Sequence, residues 1–166
     1  MITIRKAKVK DVLQVQQLIE PFAQEGRMLT RPIYEIYDAI RDYFVAIVNS
    51  KIVGCCALHI FGKEYNPKNN KEEEIILAEV RALAVIKKWQ GKKIGTKLIR
   101  KCLKEAKELA INKIFVLTLE ENLIFFKKLG FKRSARNSFP QKIWQECVKC
   151  PRFPSTCNEI PLILEL

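Results

Sequence analysis

The sequence predicts an α/β fold built on a mixed sheet, and three patterns carry this prediction. Residues 43–48 and 52–61 form strand-like runs joined across Asn49-Ser50-Lys51, which is typical of a short hairpin. The segment 79–85 alternates as a strand and runs through a turn with two glycines into a basic amphipathic helix. A further apolar run at 113–119 predicts a buried strand. Helical and strand periods therefore follow one another along the chain.

The N-terminal part predicts a strand and two helices. Thr3-Ile4-Arg5 is the opening strand, and Asp11 is placed to N-cap a helix that ends near Glu25-Gly26. Pro32 suits the first turn of a second helix. Apolar residues recur at spacings of three and four in both helices, and the predicted buried positions are Val12, Val15, Leu18, Ile19 and Phe22, then Ile33, Ile36, Tyr37 and Ile40.

The remaining elements follow from the same periodicities. The polar stretch 62–74 predicts a loop, and a short helix that closes at Gly130 precedes a strand from Phe131. Residues 139–166 are expected to be irregular up to an apolar strand at 160–164, with Trp144 as an anchor against the core. The helix after the glycine turn has a predicted apolar face of Ile94, Leu98, Cys102, Leu103, Ala106, Leu109 and Ala110.

Composition favours one domain spanning residues 1–166. The chain has 166 residues, 48% of them hydrophobic, which is enough for one sizeable core. It shows neither a signal-peptide pattern nor an apolar run of ~20 residues, so we expect a cytoplasmic protein without a membrane partner. Cys55-Cys56 lies in an apolar run and Cys102 on a helix stripe, as reduced core thiols do.

The formal net charge of +12 raises the question of nucleic-acid binding. The lysines are scattered, with neither a recognition-helix pattern nor an aromatic RNA-reading motif, so we expect no nucleic-acid partner. A local concentration does flank the glycine turn, where it would attract a polyanionic ligand. Its members are Lys87, Lys88, Lys92, Lys93, Lys97, Arg100 and Lys101.

The turn itself, Gln90-Gly91-x-x-x-Gly95, predicts an anion site. Its glycines allow backbone amides to approach an anion where a helix starts with unpaired N–H groups, so a pyrophosphate would fit there. The pattern is neither a P-loop nor a complete G-x-G-x-x-G, which makes nucleoside triphosphates and dinucleotides less natural ligands. Ordinary close packing of the turn is the alternative.

Three segments resemble the acetyl-CoA signature of the GCN5-related N-acetyltransferases (GNAT): Leu83-Ala84-Val85, the run 90–98, and 125–131. The resemblance implies a mixed, mostly antiparallel twisted sheet flanked by helices, with a cysteine-containing C-terminal segment, and acetyl-CoA as co-substrate. The chain departs from the family pattern at Lys93, where a glycine is usual, and at Phe126, where many relatives carry a proton-donating tyrosine. The implied cofactor-binding residues are Leu83, Ala84, Val85, Gln90, Gly91, Lys92, Lys93, Ile94, Gly95, Thr96 and Phe126.

Segments 26–37, 53–59, 78–85 and 142–153 further resemble the short, single-domain N-acetylglutamate synthases. This resemblance implies transfer of acetyl from acetyl-CoA to the α-amine of L-glutamate, which opens arginine biosynthesis. Acetylation of another small amine or of a protein N-terminus is the alternative within enzymes. A non-catalytic acyl-CoA-binding regulator is the alternative outside them, and Phe126 and Lys93 keep it open. The assembly could be a homodimer.

Direct attack of the amine on the thioester suits the residues present. His59 is the chain's one histidine, which disfavours a Ser-His-Asp site. Glu79, in the motif strand, is the candidate general base, and its alternative is a surface carboxylate. No covalent intermediate is needed when both substrates are held in position.

A dicarboxylate substrate needs fixed cations, and arginine pairs bidentately with carboxylates. Arg31 and Arg81 are the candidates, and the resemblance adds the backbone near Leu29. His59, at the end of the second hairpin strand, is a further candidate for the pocket. A salt bridge is the alternative for Arg81, and a satisfied half-buried histidine is the alternative for His59. Cys147, Cys150 and Cys157 have partial zinc spacing without a fourth ligand, so packing of the tail is preferred and no metal is predicted.

Overall fold

The computed structural model describes residues 1–64 and 74–166. The strands are β1 (Thr3–Lys6), β2 (Tyr43–Val48), β3 (Lys51–Lys63), β4 (Ile76–Val85), β5 (Lys113–Thr118), β6 (Lys132–Arg133) and β7 (Ile160–Glu165). The α-helices are α1 (Val12–Gln24), α2 (Ile33–Asp38), α3 (Ile94–Glu108), α4 (Leu123–Lys127) and α5 (Pro140–Gln145). Among the residues described here, no helix is long and apolar enough to cross a membrane.

The strands form one mixed sheet in the order β1-β2-β3-β4-β5-β7-β6. Strands β4 and β5 run parallel, whereas the pairs β1–β2, β2–β3, β5–β7 and β6–β7 are antiparallel. The predicted mixed, mostly antiparallel sheet with flanking helices is confirmed. The predicted hairpin is also confirmed, because Asn49 and Ser50 take the positive φ values of a tight turn between β2 and β3.

Two compact units make up the described chain. The first comprises Met1–His59 and Val80–Leu109, and the second comprises Ile60–Glu79 and Ala110–Leu166. Strands β3 and β4 are long enough to contribute residues to both units. A single domain over residues 1–166 stays a prediction.

The core of the first unit is formed by α1, α2, β2 and β3. The apolar spacing in this segment predicted six buried positions correctly: Val12, Val15, Leu18, Ile19, Ile36 and Ile40. Three positions were predicted wrongly. Tyr37 is 46% exposed because α2 ends one residue later, and Leu109 and Ala110 are exposed because α3 ends at Glu108.

Asp11 lies at the start of α1, but it does not cap that helix with its side chain. Its carboxylate accepts hydrogen bonds from the backbone N–H of Lys8 (2.7 Å) and from both terminal nitrogens of Arg5 (2.6 and 3.1 Å). It therefore closes the preceding 3₁₀ turn, Val9–Asp11, and pairs with β1. The predicted capping bond is wrong because a guanidinium competes for the carboxylate and offers the stronger, charge-assisted bonds.

The second unit has an aromatic centre. The ring of Phe115 on β5 stacks on Phe139 at a centroid distance of 4.4 Å, and Phe61 packs against it at 5.6 Å. Phe139 precedes α5, which begins at Pro140 and which the sequence analysis missed when it expected irregular chain. Trp144 is 75% exposed, so the predicted anchor is wrong.

The reason for the exposure of Trp144 is helix geometry. Side chains two residues apart on a helix point about 200° from each other, so Trp144 points outward because Lys142 is buried. The loop predicted at 62–74 was also placed too early, because β3 continues to Lys63 and the N–H of Glu64 donates to the carbonyl of Ile75 (2.7 Å). Residues 65–73 of that predicted loop lie outside the described residues.

Candidate active site

The glycine turn of the first unit is built as a strand-to-helix connection. The N–H of Ile86 donates to the carbonyl of Val53 (2.9 Å) just after β4, and a 3₁₀ turn over Lys87–Trp89 follows. Gly91 has φ 75°. The residue before α3, Lys93, has φ 60° and ψ 17°, and its carbonyl accepts the bond from Lys97 N–H that begins the helix (3.0 Å). The chain therefore enters α3 through a left-handed residue.

That residue is a lysine where the family pattern has a glycine. Left-handed backbone costs an L-residue about 1–2 kcal/mol, so Lys93 is strained and a glycine there would not be. Such strain persists where its surroundings hold it, and it concentrates at functional sites. Lys93 thus adopts the backbone conformation that a glycine would take without strain.

Neighbouring contacts fix the turn. The Gln90 side-chain amide donates to the carbonyl of Val85 (2.9 Å), and the Lys92 ammonium lies 4.4 Å from the centre of the Trp89 ring. On β3, a Cβ added to Gly54 would lie 3.2 Å from the carbonyl oxygen of Ala84 and from two side chains of α3. Gly54 thus permits close approach of β4 and α3, which sets the turn between them.

The start of α3 has the properties of an anion site. Its helix is 15 residues long, Lys93 makes no side-chain cap, and the first-turn N–H groups of such a helix carry partial positive charge. All seven predicted basic side chains around the turn are exposed. Lys87 is partly neutralised, because its ammonium pairs with Glu25 at 2.9 Å. The remaining exposed cations strengthen the positive potential at the helix start.

Strand β4 does not alternate regularly in its second half. Ala82 has φ 54°, and Arg81, Ala82 and Leu83 are all half-buried while Ala84 is buried. The strict alternation predicted across 79–85 is therefore wrong at Ala82. A residue of this kind within a strand bends it and re-aims the neighbouring side chains, as bulges do.

The predicted cofactor-binding residues of the first unit lie along this bent strand and the turn. Ala84 and Ile94 are buried, and the side chains of Ile94 and Leu98 both lie beside Gly54. Exposed or half-buried positions are those of Leu83, Val85, Gln90, Gly91, Lys92, Lys93, Gly95 and Thr96. These eight are the positions that a ligand could reach from solvent.

Two of the predicted substrate-binding cations share a neighbour in the first unit. Burial raises the pKa of Tyr43 to about 12, and the positive charges of Arg31 and Arg81 both oppose that rise. Arg31 is only 19% exposed and lies 3.9 Å from Glu35 one helical turn on. Sequence reasoning missed Tyr43, because its place in β2 marked it as a core strand residue. Leu29, near Arg31 in sequence, is exposed.

His59 is tied to a carboxylate. Its Nδ1 lies 2.9 Å from Oδ2 of Asp42, and both side chains are 30% exposed. Because the carboxylate can only accept, the ring N–H at Nδ1 is the donor. This geometry matches the satisfied, half-buried histidine that the sequence analysis kept as the alternative.

Glu79 belongs to the second unit and is only 3% exposed, so the alternative of a surface carboxylate is wrong. It lies inside β4, which begins at Ile76, and the parallel ladder with β5 runs from Leu77 to Glu79. Its Oε2 accepts a hydrogen bond from the Lys142 ammonium at 3.0 Å. Sequence reasoning missed Lys142, because nothing local marks a lysine of the tail for burial beside a strand 63 residues away.

The predicted cofactor residue Phe126 is also in the second unit, and its side chain is buried. Its ring makes edge contacts with Phe125 and Phe131 at centroid distances of 5.0 and 5.6 Å. It carries no proton donor, so it can contribute apolar surface but not acid catalysis.

The three C-terminal cysteines are half-buried free thiols. Burial raises the pKa of Cys147, the charge of Lys142 opposes the rise, and Cys157, Glu159 and Glu79 add to it. Among residues 1–64 and 74–166, no group of three potential ligands is arranged to hold a metal ion. A packing role for this segment stays a prediction.

Comparison with known proteins agrees with this fold. The acetyltransferase (GNAT) domain model matches residues 39–133. The chain is 36% identical over 163 residues to an uncharacterized N-acetyltransferase of Chlorobaculum tepidum, spanning 98% of this chain and 96% of that protein. It is 30% identical over 131 residues to the amino-acid acetyltransferase of Mycobacterium tuberculosis, spanning 77% of this chain and 67% of that protein.

Two solved structures share the fold. The N-acetylglutamate synthase of Neisseria gonorrhoeae, complexed with coenzyme A and N-acetyl-glutamate, superposes with a TM-score of 0.80 at 20% identity, over 100% of this chain and 35% of that one. A Mycobacterium tuberculosis protein in complex with CoA gives a TM-score of 0.78 at 24% identity, over 99% of both chains. The matched domain model and the two sequence relatives show that the chain belongs to the acetyltransferase (GNAT) family and is related to the amino-acid acetyltransferases.

Proposed function

We propose that this protein transfers the acetyl group of acetyl-CoA to the α-amine of L-glutamate. The observation that carries the proposal is the pair of arginines, Arg31 and Arg81, whose charges act on the same buried Tyr43. Two guanidiniums whose charges both act on Tyr43 suit a substrate with two carboxylates, because each can pair bidentately with one of them.

Acetyl-CoA is the proposed co-substrate. The exposed amides and lysines at the start of α3 suit its pyrophosphate, and related folds have been solved with coenzyme A bound. The half-buried backbone of Leu83 and Val85 would hold the pantetheine arm, and a backbone N–H there would polarise the thioester carbonyl. We further propose that residues 1–166 act as one domain, in the cytoplasm, at the first step of arginine biosynthesis.

The proposed chemistry is direct attack. The carboxylate of Glu79 takes a proton from the glutamate ammonium, directly or through water, and the neutral amine then attacks the thioester carbonyl. The new C–N bond forms as the C–S bond breaks, and the electron pair leaves on sulfur as the CoA thiolate. The nitrogen of the product then releases its extra proton to solvent, from which the thiolate can take one up, so that a neutral amide remains. A thiolate is a stable leaving group, so the reaction proceeds although Phe126 offers no proton.

The remaining pocket residues have supporting roles in this proposal. Tyr43 would remain a neutral hydroxyl near the arginines, because burial raises its pKa to about 12. The backbone near Leu29 would help to hold the α-carboxylate. His59, engaged by Asp42, would line the pocket without taking part in proton transfer.

The test measures CoA release by the purified protein with a panel of free amino acids, followed by mass analysis of the product. Release that depends on L-glutamate, with a product heavier by one acetyl group, is the expected result. Another small amine giving the faster reaction would overturn the glutamate assignment. Acetyl-CoA binding without turnover on any amine, including peptide N-termini, would favour a regulator that binds acyl-CoA.

Variants then assign the residues. Arg31→Ala should raise KM for glutamate about 10- to 100-fold, the value of a lost charge-assisted pair, and leave KM for acetyl-CoA unchanged. Arg41→Ala is the matched control, because Arg41 is an exposed arginine of the same unit outside the proposed pocket. Glu79→Gln should lower kcat about 10²- to 10⁴-fold while CoA binding is retained. If Arg31→Ala and Arg41→Ala raised the KM for glutamate equally, the proposed pocket would be contradicted.

A further inference from the structure

Lys142 is an ammonium buried among carboxylates. Its side chain is in the second unit and the residue is 7% exposed, although lysine is rarely buried unless it is paired. Its Nζ donates to Oε2 of Glu79 at 3.0 Å and also to Oε2 of Glu146, one helical turn on. The ring of Phe61 lies 5.7 Å from the same nitrogen. The ammonium is thus bound on two sides by carboxylates and faces an aromatic ring.

The chain around Lys142 is held by contacts that do not involve its ammonium group. Phe139 stacks on Phe115 of β5 with an interplanar angle of 18°, and Pro140 begins α5 directly after it. The side-chain amide of Gln141 donates to the carbonyl of Lys63 at the end of β3 (2.6 Å). An aromatic stack at Phe139 and a hydrogen bond at Gln141 therefore hold the helix that carries Lys142.

The charges around Lys142 are mostly negative. Burial lowers its pKa, but the charges and hydrogen bonds of Glu79 and Glu146 outweigh burial and hold the pKa above its usual 10.5, so the group is a cation at neutral pH. Glu159 and Cys147 are the other titratable groups near Lys142. Burial raises the pKa of Glu159, and the charge of Glu79 raises it further, against Lys142, Arg152 and Arg136.

We propose that Lys142 is a positioning residue that keeps Glu79 ionised and oriented for proton transfer. A carboxylate that is almost fully buried favours its neutral form unless a cation and hydrogen bonds stabilise the charge. A protonated Glu79 could not accept a proton from the acceptor amine. The inference rests on the proposed function, in which Glu79 is the base, and adds a residue of the C-terminal segment to that machinery.

A positioning role for Lys142 and a purely structural ion pair predict different effects of pH on activity. If Lys142 acts through Glu79, removing it changes the pH at which activity is lost, as well as the amount of folded protein. Arginine keeps the positive charge and should restore the pH dependence, whereas methionine keeps the length of the side chain without the charge.

The experiment compares Lys142→Met and Lys142→Arg with the wild type in the pH profile of kcat/KM for glutamate. We expect the acid limb of the methionine variant to move up by about 1–3 pH units, the usual effect of a neighbouring charge, with kcat at least ~10-fold lower. The arginine variant should retain the wild-type limb. Lys149→Met, an exposed lysine four residues beyond α5, is the control and should be unchanged.

A second measurement separates folding from positioning. Each variant is first checked for cooperative thermal unfolding and for acetyl-CoA binding by calorimetry, and Lys142→Gln replaces the methionine variant if that one does not fold. The double variant with Glu79→Gln should lose no more activity than Glu79→Gln alone, because two changes in one pathway are not additive. Losses that multiply, or a folded methionine variant with an unmoved acid limb, would overturn the role of Lys142.

Failure of the proposed function gives a different result. If Glu79→Gln turns over like the wild type, Glu79 is not the base, and the inference about Lys142 falls with that assignment. If Glu79→Gln is inactive while the pH profile ignores Lys142, the base assignment stands and only the positioning role is refuted.

Discussion

The left-handed Lys93 gives the sharpest test of the turn that leads into α3. Its φ of 60° costs an L-residue about 1–2 kcal/mol, which glycine does not incur. Glycine in turn gives the unfolded chain more freedom, worth about 0.5–1 kcal/mol against alanine. Lys93→Gly should therefore be more stable than Lys93→Ala by roughly 0.5–1 kcal/mol. Both variants remove the same exposed charge, so the difference isolates the backbone.

The assay is urea unfolding of both variants at one pH and salt concentration. With a slope of about 2 kcal/mol per molar urea, the midpoints should differ by roughly 0.25–0.5 M, glycine being higher. Lys97 provides the control, since it is exposed within α3, where glycine should be less stable than alanine by about 1 kcal/mol. The order of the two variants thus reverses between positions 93 and 97.

The same proteins report on the ligand. Wild type and Lys93→Ala differ by the charge, so their CoA affinities should differ at low salt and converge as salt screens the interaction. Glycine and alanine at position 93 should bind CoA alike, apart from any effect of loop stiffness. If glycine at position 93 is no more stable than alanine, the residue is not left-handed, and the strained turn described here is refuted.

Two further outcomes follow from burial and charge. The Arg5 hydrogen bonds hold the pKa of Asp11 below its usual 3.8, so the stability that this pair contributes is present above pH ~4 and is lost as pH falls through the lowered value. Asp11→Asn should therefore lower the free energy of unfolding in urea by about 2 kcal/mol at pH 7, and by less toward pH 3. A difference from wild type that does not change with pH would contradict the pairing. Burial raises the pKa of Cys55 to about 12, and Cys56 and Cys102 are equally buried. A thiol reagent at pH 8 should therefore react rapidly with at most three of the six thiols in the native protein and with all six in denaturant. A fourth rapidly reacting thiol would show that this core opens.

Local patterns were sufficient where neighbours in sequence decide the structure. The hairpin at Asn49-Ser50 and the strand, turn and helix from 79 to 108 follow from periods of two and 3.6 and from turn residues. These elements also carry the family resemblance, because the backbone around the turn is what an anion would contact. The departure from glycine at Lys93 was visible in the sequence, and the structure shows that this residue has a positive φ.

Predictions failed where a distant partner competed with the local signal. Asp11 had the right position for a helix cap, yet Arg5 on β1 took its carboxylate. Trp144 looked like a core residue until helix α5 placed Lys142 on the buried side instead. A propensity is worth tenths of a kcal/mol, whereas a charge pair or an aromatic stack outweighs it once the chain brings the partners together.

The sequence by itself determined the order of helices and strands from β1 to β6, the hydrophobic faces of α1 and α3, and the glycine turn, because each depends on residues within one or two turns of one another. Only the tertiary structure decided that Arg31 and Arg81 act on Tyr43 and that Lys142 neutralises Glu79. Burying a charge is favourable only beside its counter-charge, and the 63 residues between Glu79 and Lys142 leave no periodic trace of that pairing.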